Sequence, residues 1–181
     1  MENKLQWSKY QRVSIFLYLA AGVFLLVYAL GFITNVYLFY AYGSRSLVEF
    51  YHDMQKINNI FLWKAILVIV FALLLFMLEL GNHPAGVFTL LIVIAITAAS
   101  IFICVNSFVV LADARQQYSN LDLTSLDRYI QRGTIRYEYS TFTYDIGLGG
   151  YILFMLSTLL TAFTIIRNAI KMKEGEGNEQ K

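Results

Sequence analysis

Apolar residues run through this chain in four long blocks, and the charges gather in the breaks between them. The first block is the 32 residues between Arg12 and Arg45, none charged, including SIFLYLAAGVFLLVYALGFITNVYLFY. A secretory leader has an apolar region of only about 7–15 residues, so this block predicts a retained helix over 13–41. The stretch WKAILVIVFALLLFMLEL predicts a second span over 59–80. A third is expected over 85–112, between His83 and Asp113, and a fourth over 147–168, between Asp145 and Arg167. Each can supply the ~20 residues a helix needs to cross a bilayer. The pattern therefore predicts an all-α, integral membrane four-helix bundle, a single domain over 1–172.

The breaks differ in kind. LGNHPAG is a tight hairpin between the second and third spans: Gly81 suits a helix end, and Pro84 suits a helix start. In SLVEFYHDMQKINNIF the apolar residues Leu47, Phe50, Tyr51, Met54, Ile57 and Phe61 recur at three- and four-residue steps. Glu49, His52, Asp53 and Lys56 take the opposite face, and Ser46 with Glu49 reads as a capping box. An amphipathic helix running straight into the second span is expected, with a helix lying flat at the interface as the alternative. The outer loops cover 42–58 and 113–146. The second loop continues the third helix through ADARQQY, places a short helix in TSLDRYIQRG, and alternates in TIRYEYSTFTY as an extended segment would. Together these predict helical extensions and a small aromatic cap outside the membrane. The polar residues 173–181 predict a disordered cytoplasmic tail.

Composition strengthens the membrane reading. Hydrophobic residues make up 58% of the 181 and charged ones 14%, against ~25% charged in an ordinary soluble domain. The net charge of +2 is small and scattered, and gives no nucleic-acid surface. For orientation, Lys4, Lys9, Arg12, Arg167, Lys171, Lys173 and Lys181 balance Arg45, Lys56, Lys64, Arg115, Arg128, Arg132 and Arg136. The first helix breaks this tie, with three basic residues before it and Arg45 alone closely after it. Both termini are expected in the cytoplasm of a multi-pass cell-membrane protein.

Two charges fall inside the second span. Lys64 and Glu79 stand fifteen residues apart, about 22 Å along a helix, within a hydrocarbon core about 30 Å thick. Side chains lean toward a helix N-terminus, so Lys64, beside Trp63, is expected to snorkel to the outer interface. Glu79 leans back into the bilayer and opposes the helix dipole. It is expected to pair with Arg12 or Arg167, or to be protonated.

Polar and small residues within the spans predict the faces that pack together. They are Gly150, Ser157, Thr161, Thr164 and Asn168 in the fourth span; Ala95, Ala99 and Asn106 in the third; and Ala21, Tyr28, Gly31 and Asn35 in the first. Counting along the spans puts Asn35 and Asn106 at one level. Tyr28 falls near the midplane, where its hydroxyl needs a partner such as Ser100 or Ser157.

The chemistry-bearing residues are sparse. His52 and His83 lie outside the apolar cores, which argues against haem, and one Glu-x-x-His at Glu49 and His52 is half of what a di-iron bundle needs. HExxH, GxSxG and GK[ST] runs are absent, and Cys104 alone rules out Cys-x-x-Cys chemistry within this chain. DIGLGGY follows no strand, so its glycines read as helix packing. In layout the chain resembles the animal tetraspans. It lacks the CCG of tetraspanins and the paired extracellular cysteines of claudins and connexins, so the resemblance is one of topology and assigns no family.

These observations predict a non-catalytic membrane subunit or scaffold with no cofactor or metal. It would assemble with a larger complex or with itself, in contact with membrane lipids, and Tyr129, Tyr137, Tyr139 and Tyr144 are the candidate partner-binding residues. A small channel or transporter, using Glu79, Tyr28, Asn35 and Asn106, is the second reading. A receptor-like module whose cap binds a peptide or lipid headgroup is the third.

Overall fold

The computed structural model describes residues 2–32, 37–80, 87–124, 126 and 140–179, with side chains at 9–32, 37, 39–78, 88–124, 126 and 140–170. It is all-helical: α1 (Glu2–Gly31), α2 (Tyr37–Tyr42), α3 (Arg45–Leu80), α4 (Val87–Ser119) and α5 (Phe142–Glu179). Four stretches among the described residues are long and apolar enough to cross a membrane: Lys9–Gly31, Arg45–Leu78, Phe88–Ser119 and Phe142–Ile170. The expected four-helix membrane bundle is present.

α1 packs against α3 and α5, and α4 chiefly against α5, while α3 and α4 touch most lightly. The helices thus alternate around a ring in the order α3, α1, α5, α4. Ser14, near the start of the apolar stretch of α1, meets Thr164, near the end of that of α5, and Phe16 meets Phe76 near the end of α3. The chain ends and the α3–α4 hairpin therefore share one end of the bundle, here the terminal end. The α1–α3 and α4–α5 connections share the other, the loop end.

Several boundaries differ from the sequence expectation. The first membrane helix ends at Gly31, ten residues short of the expected 41. Chain counting beyond that point no longer measures depth, and Asn35 lies outside the described residues. α3 begins at Arg45, where Glu49 pairs with Arg45 at 3.0 Å instead of closing a capping box on Ser46. α5 begins at Phe142, inside the segment expected to be extended. There the Ser140 hydroxyl accepts the Phe142 amide at 3.1 Å, and Thr141 donates to Asp145 at 2.9 Å. At its far end α5 carries helical backbone to Glu179, across the tail expected to be disordered, since extending an existing helix adds one bond per residue ordered.

The amphipathic reading of α3 holds. Leu47, Phe50, Tyr51, Met54 and Phe61 are buried and Ile57 packs against them, while Glu49, His52, Asp53 and Lys56 are exposed. At 36 residues α3 is about 54 Å long, well beyond a ~30 Å core. Above the membrane level its first turns join an aromatic cap. Phe39 stacks on Tyr118 with ring centroids 6.1 Å apart, Phe50 lies 6.0 Å from Tyr118, and Tyr118 lies 5.1 Å from Tyr144. Beyond α4, the Thr124 amide donates to Asp122 at 3.0 Å, which holds that carboxyl below its ordinary range. Within the bundle, Gly22 admits Val68 so closely that a β-carbon there would stand 2.9 Å from it. A β-carbon on Gly147 would collide with the Tyr28 ring on one side and come within 2.6 Å of Leu111 on the other.

Gly147→Ala is expected to destabilise the bundle by about 1–3 kcal/mol, because the Tyr28 ring and the buried Leu111 side chain must both shift. Gly149→Ala meets nothing within 4 Å and should stabilise by up to about 1 kcal/mol through helix propensity. Thermal unfolding in detergent separates the two.

Candidate functional site

Two polar layers hold the helices together. At the terminal end the Ser14 and Thr164 hydroxyls are 2.8 Å apart. The Thr161 hydroxyl lies 3.0 Å from the Ser14 carbonyl and 2.8 Å from that of Ser157. Asn168 donates to Gln11 at 2.7 Å. The predicted stripe on α5 therefore does face the interior: Gly150, Ser157, Thr161 and Thr164 are buried, and Asn168 is half-buried. Deeper in, Tyr18 lies 2.6 Å from Ser100 across the ring diagonal. Because the Ser100 proton already goes to the Ile96 carbonyl at 2.8 Å, the phenol is the donor.

This pairing corrects the expectation for Tyr28. Ser100 serves Tyr18, Ser157 donates to Phe154 at 2.8 Å, and the Tyr28 hydroxyl has no hydrogen-bond partner among the described residues although the residue is 9% exposed. Asn58 Oδ1 is the other such buried atom among the described side chains. Ser157 also lines an apolar groove of about 380 Å³ between α1 and α5, with Leu17, Ala21, Phe24, Gly150 and Leu153.

The third-span face was misread. Ala95 and Asn106 are exposed and Ala99 is half-buried, whereas Val93, Ile96, Ser100, Ile103, Cys104, Ser107 and Leu111 are buried. Ser100 and Ser107, seven residues apart, marked the true inner face. Cys104 donates its thiol to the Tyr151 carbonyl at 3.0 Å.

A second polar cluster occupies the α3–α4 seam. Lys64 bonds across to α4: its ammonium donates to Asn106 Oδ1 at 2.6 Å and to Ser107 Oγ at 3.1 Å. It lies 6.0 Å from the centroid of the Phe61 ring. Ser107 in turn meets the phenol of buried Tyr151. A polar chain thus runs from exposed Asn106 through Lys64 and Ser107 into the core. No carboxylate faces Lys64 among the described residues. A charged lysine within a membrane helix carries a desolvation cost that falls from the helix centre toward its ends, and here its neighbours are neutral or aromatic. Lys64, Ser107 and Tyr151 were missed as a unit because no sequence period links different helices.

The remaining predicted residues separate clearly. Arg12 and Arg167 stand at the terminal end, where Arg167 lies 5.7 Å from the centroid of the Phe163 ring. Glu79 occupies the last turn of α3 at that same end, and its side chain lies outside the described residues. Tyr129, Tyr137 and Tyr139 also lie outside them. Tyr144, expected to meet a partner, is 3% exposed and packs between Phe32 and Tyr118. The first turn of α5 forms part of the core, so that ring is not a contact surface. Arg115 donates to Asp145 at 2.6 Å and ties α4 to α5 at the loop end. Among the described residues no three His, Cys, Asp or Glu side chains gather as a metal site.

No protein-family model matches the chain, and no curated protein or solved structure is significantly similar to it.

Tyr18→Phe is expected to cost about 0.6 kcal/mol, and at most about 1.7, the range measured for hydrogen bonds between membrane helices. Tyr28→Phe should be neutral or stabilising, since it removes a buried hydroxyl without a partner. Unfolding titrations in mixed micelles read both values.

Proposed function

We propose that this chain is a non-catalytic membrane subunit that assembles with a larger membrane complex or with copies of itself. Its contact surfaces would be the lipid-facing sides of its bundle and its Tyr-rich outer loops. The observation that carries this reading is how the interior polar groups are used. Ser14, Thr161, Thr164, Tyr18, Ser100, Gln11 and Asn168 bond one helix to another. Hydroxyls and amides engaged in this way serve adhesion and do not line a route for solute. The polar group left facing outward, Asn106 with Lys64, lies where another membrane helix could reach it. In this reading both termini are cytoplasmic and the aromatic cap lies outside the cell.

The unpartnered Tyr28 hydroxyl and Asn58 oxygen favour a second reading, a small channel or transporter with a hydrated pocket in its loop-end half.

Mild-detergent extraction is expected to yield a complex larger than the lone chain on native gels. Tyr137→Ala or Tyr139→Ala should loosen it, and vesicles of the purified chain should show no flux that Glu79→Gln abolishes. Flux lost in Glu79→Gln, with the fold and complex intact, would favour the second reading.

A further inference from the structure

From the α3–α4 seam we infer a binding site for one carboxylate from a transmembrane helix of a different protein, with Lys64 as the acceptor of that charge and Asn106 beside it. As an identification of the partner's chemistry, this rests on the assembly reading above.

Depth is the first ground. Along α3, Lys64 stands eight residues, about 12 Å, below Lys56 and fifteen residues, about 22 Å, above Glu79. On α4, Asn106 stands seven residues, about 10 Å, below Asp113. With a hydrocarbon core about 30 Å thick, both groups lie inside the loop-end half of the membrane. A lipid phosphate stays at the membrane surface, whereas the ammonium is already held by two side chains of α4. A carboxylate carried on an apolar helix can be held at any depth.

Surface is the second ground. Ile60, Trp63 and Leu67 on α3 and Phe102, Val105 and Val109 on α4 are exposed around the polar pair. Residues three and four apart on each helix share a face, so an apolar surface surrounds one cationic spot. α3 and α4 touch lightly as a pair, which leaves room for a third helix along their seam. Charge is the third ground. The ammonium has three protons, and two are directed to neutral acceptors. Ionisable residues within membranes pair with one another.

Among the described residues, a second copy of this chain supplies no such anion. Its acidic residues are Glu2, Glu49, Asp53, Glu79, Asp113, Asp122, Asp127, Glu138, Asp145, Glu174, Glu176 and Glu179. Among the described residues, Asp53 and Glu79 stand eleven and fifteen residues from Lys64 along α3, Asp113 stands seven from Asn106 along α4, and Asp145 is paired with Arg115, so none is free at the depth of Lys64. The partner is therefore a different protein with one Asp or Glu inside its apolar span.

The test places the purified full chain in phosphatidylcholine vesicles at pH 8 with a labelled Leu/Ala helix of about 23 residues. The helix carries one Glu at the depth of Lys64, and its twin carries Gln. Energy transfer should show the Glu helix binding about tenfold more tightly than the Gln helix. The preference should survive in Lys64→Arg and vanish in Lys64→Met. Equal binding of the two helices to the wild-type chain overturns the site, whether or not Lys64→Met folds. A preference that persists in folded Lys64→Met also overturns it. So does loss of the preference when phosphatidylglycerol replaces part of the phosphatidylcholine, because a lipid phosphate would then be the anion. A chain that runs alone on native gels yet prefers the Glu helix removes the assembly reading and supports the site. A larger native complex without that preference does the reverse.

Discussion

Inside a bilayer no water is at hand, so a polar group within the spans is costly unless it finds a partner in the protein. The architecture follows from that requirement. Apolar contact alone gives little reason for one membrane helix to prefer another over lipid, and close packing with interhelical hydrogen bonds supplies it. Here the bonds lie on α1 and α5 at the terminal end, across to α4 through Tyr18 and Ser100, and along the seam through Lys64, Asn106 and Ser107. Where these bonds are, the ring of helices is held.

The large aromatic side chains fill what the small residues open. Gly22 and Gly147 let neighbouring helices come close, and Phe32, Phe61, Tyr144 and Tyr151 occupy the space between them. Phe32 meets Tyr144 edge-on with centroids 5.6 Å apart, and Phe61 meets Tyr151 at 5.8 Å. Such rings add geometry-dependent attraction to plain contact. They carry the packing outward from the bundle into the cap, where Phe39, Phe50 and Tyr118 continue it. The loop end is thus stiffened by rings, and the terminal end by hydroxyls.

How much of this was legible depended on contrast within each helix. α3 outside the membrane alternates charged and apolar residues, and its buried face was readable residue by residue from Leu47 to Phe61. α5 carries hydroxyls on one stripe, and that too was readable. α4 is apolar all round, so small residues were weak evidence: Ala95 and Asn106 pointed to the wrong side, while Ser100 and Ser107 held the answer. The end of α1 was misplaced because an unbroken apolar run hides a helix stop. The cluster at Lys64 joins helices whose spacing along the chain carries no record of their meeting. Its charge was visible in sequence, but its direction was not. Among the known proteins compared, none offered a shortcut.

The light contact between α3 and α4 bears on how the molecule is made. These two follow one another closely in the chain and enter the membrane as neighbours, yet α4 leans chiefly on α5, which is synthesised after both. α1 can settle against α3 early, but α4 has no firm support until the ribosome has delivered residues beyond Phe142. The ring closes from its final segment, so a nascent chain that stalls before then leaves its third crossing adrift in lipid and open to quality-control proteases.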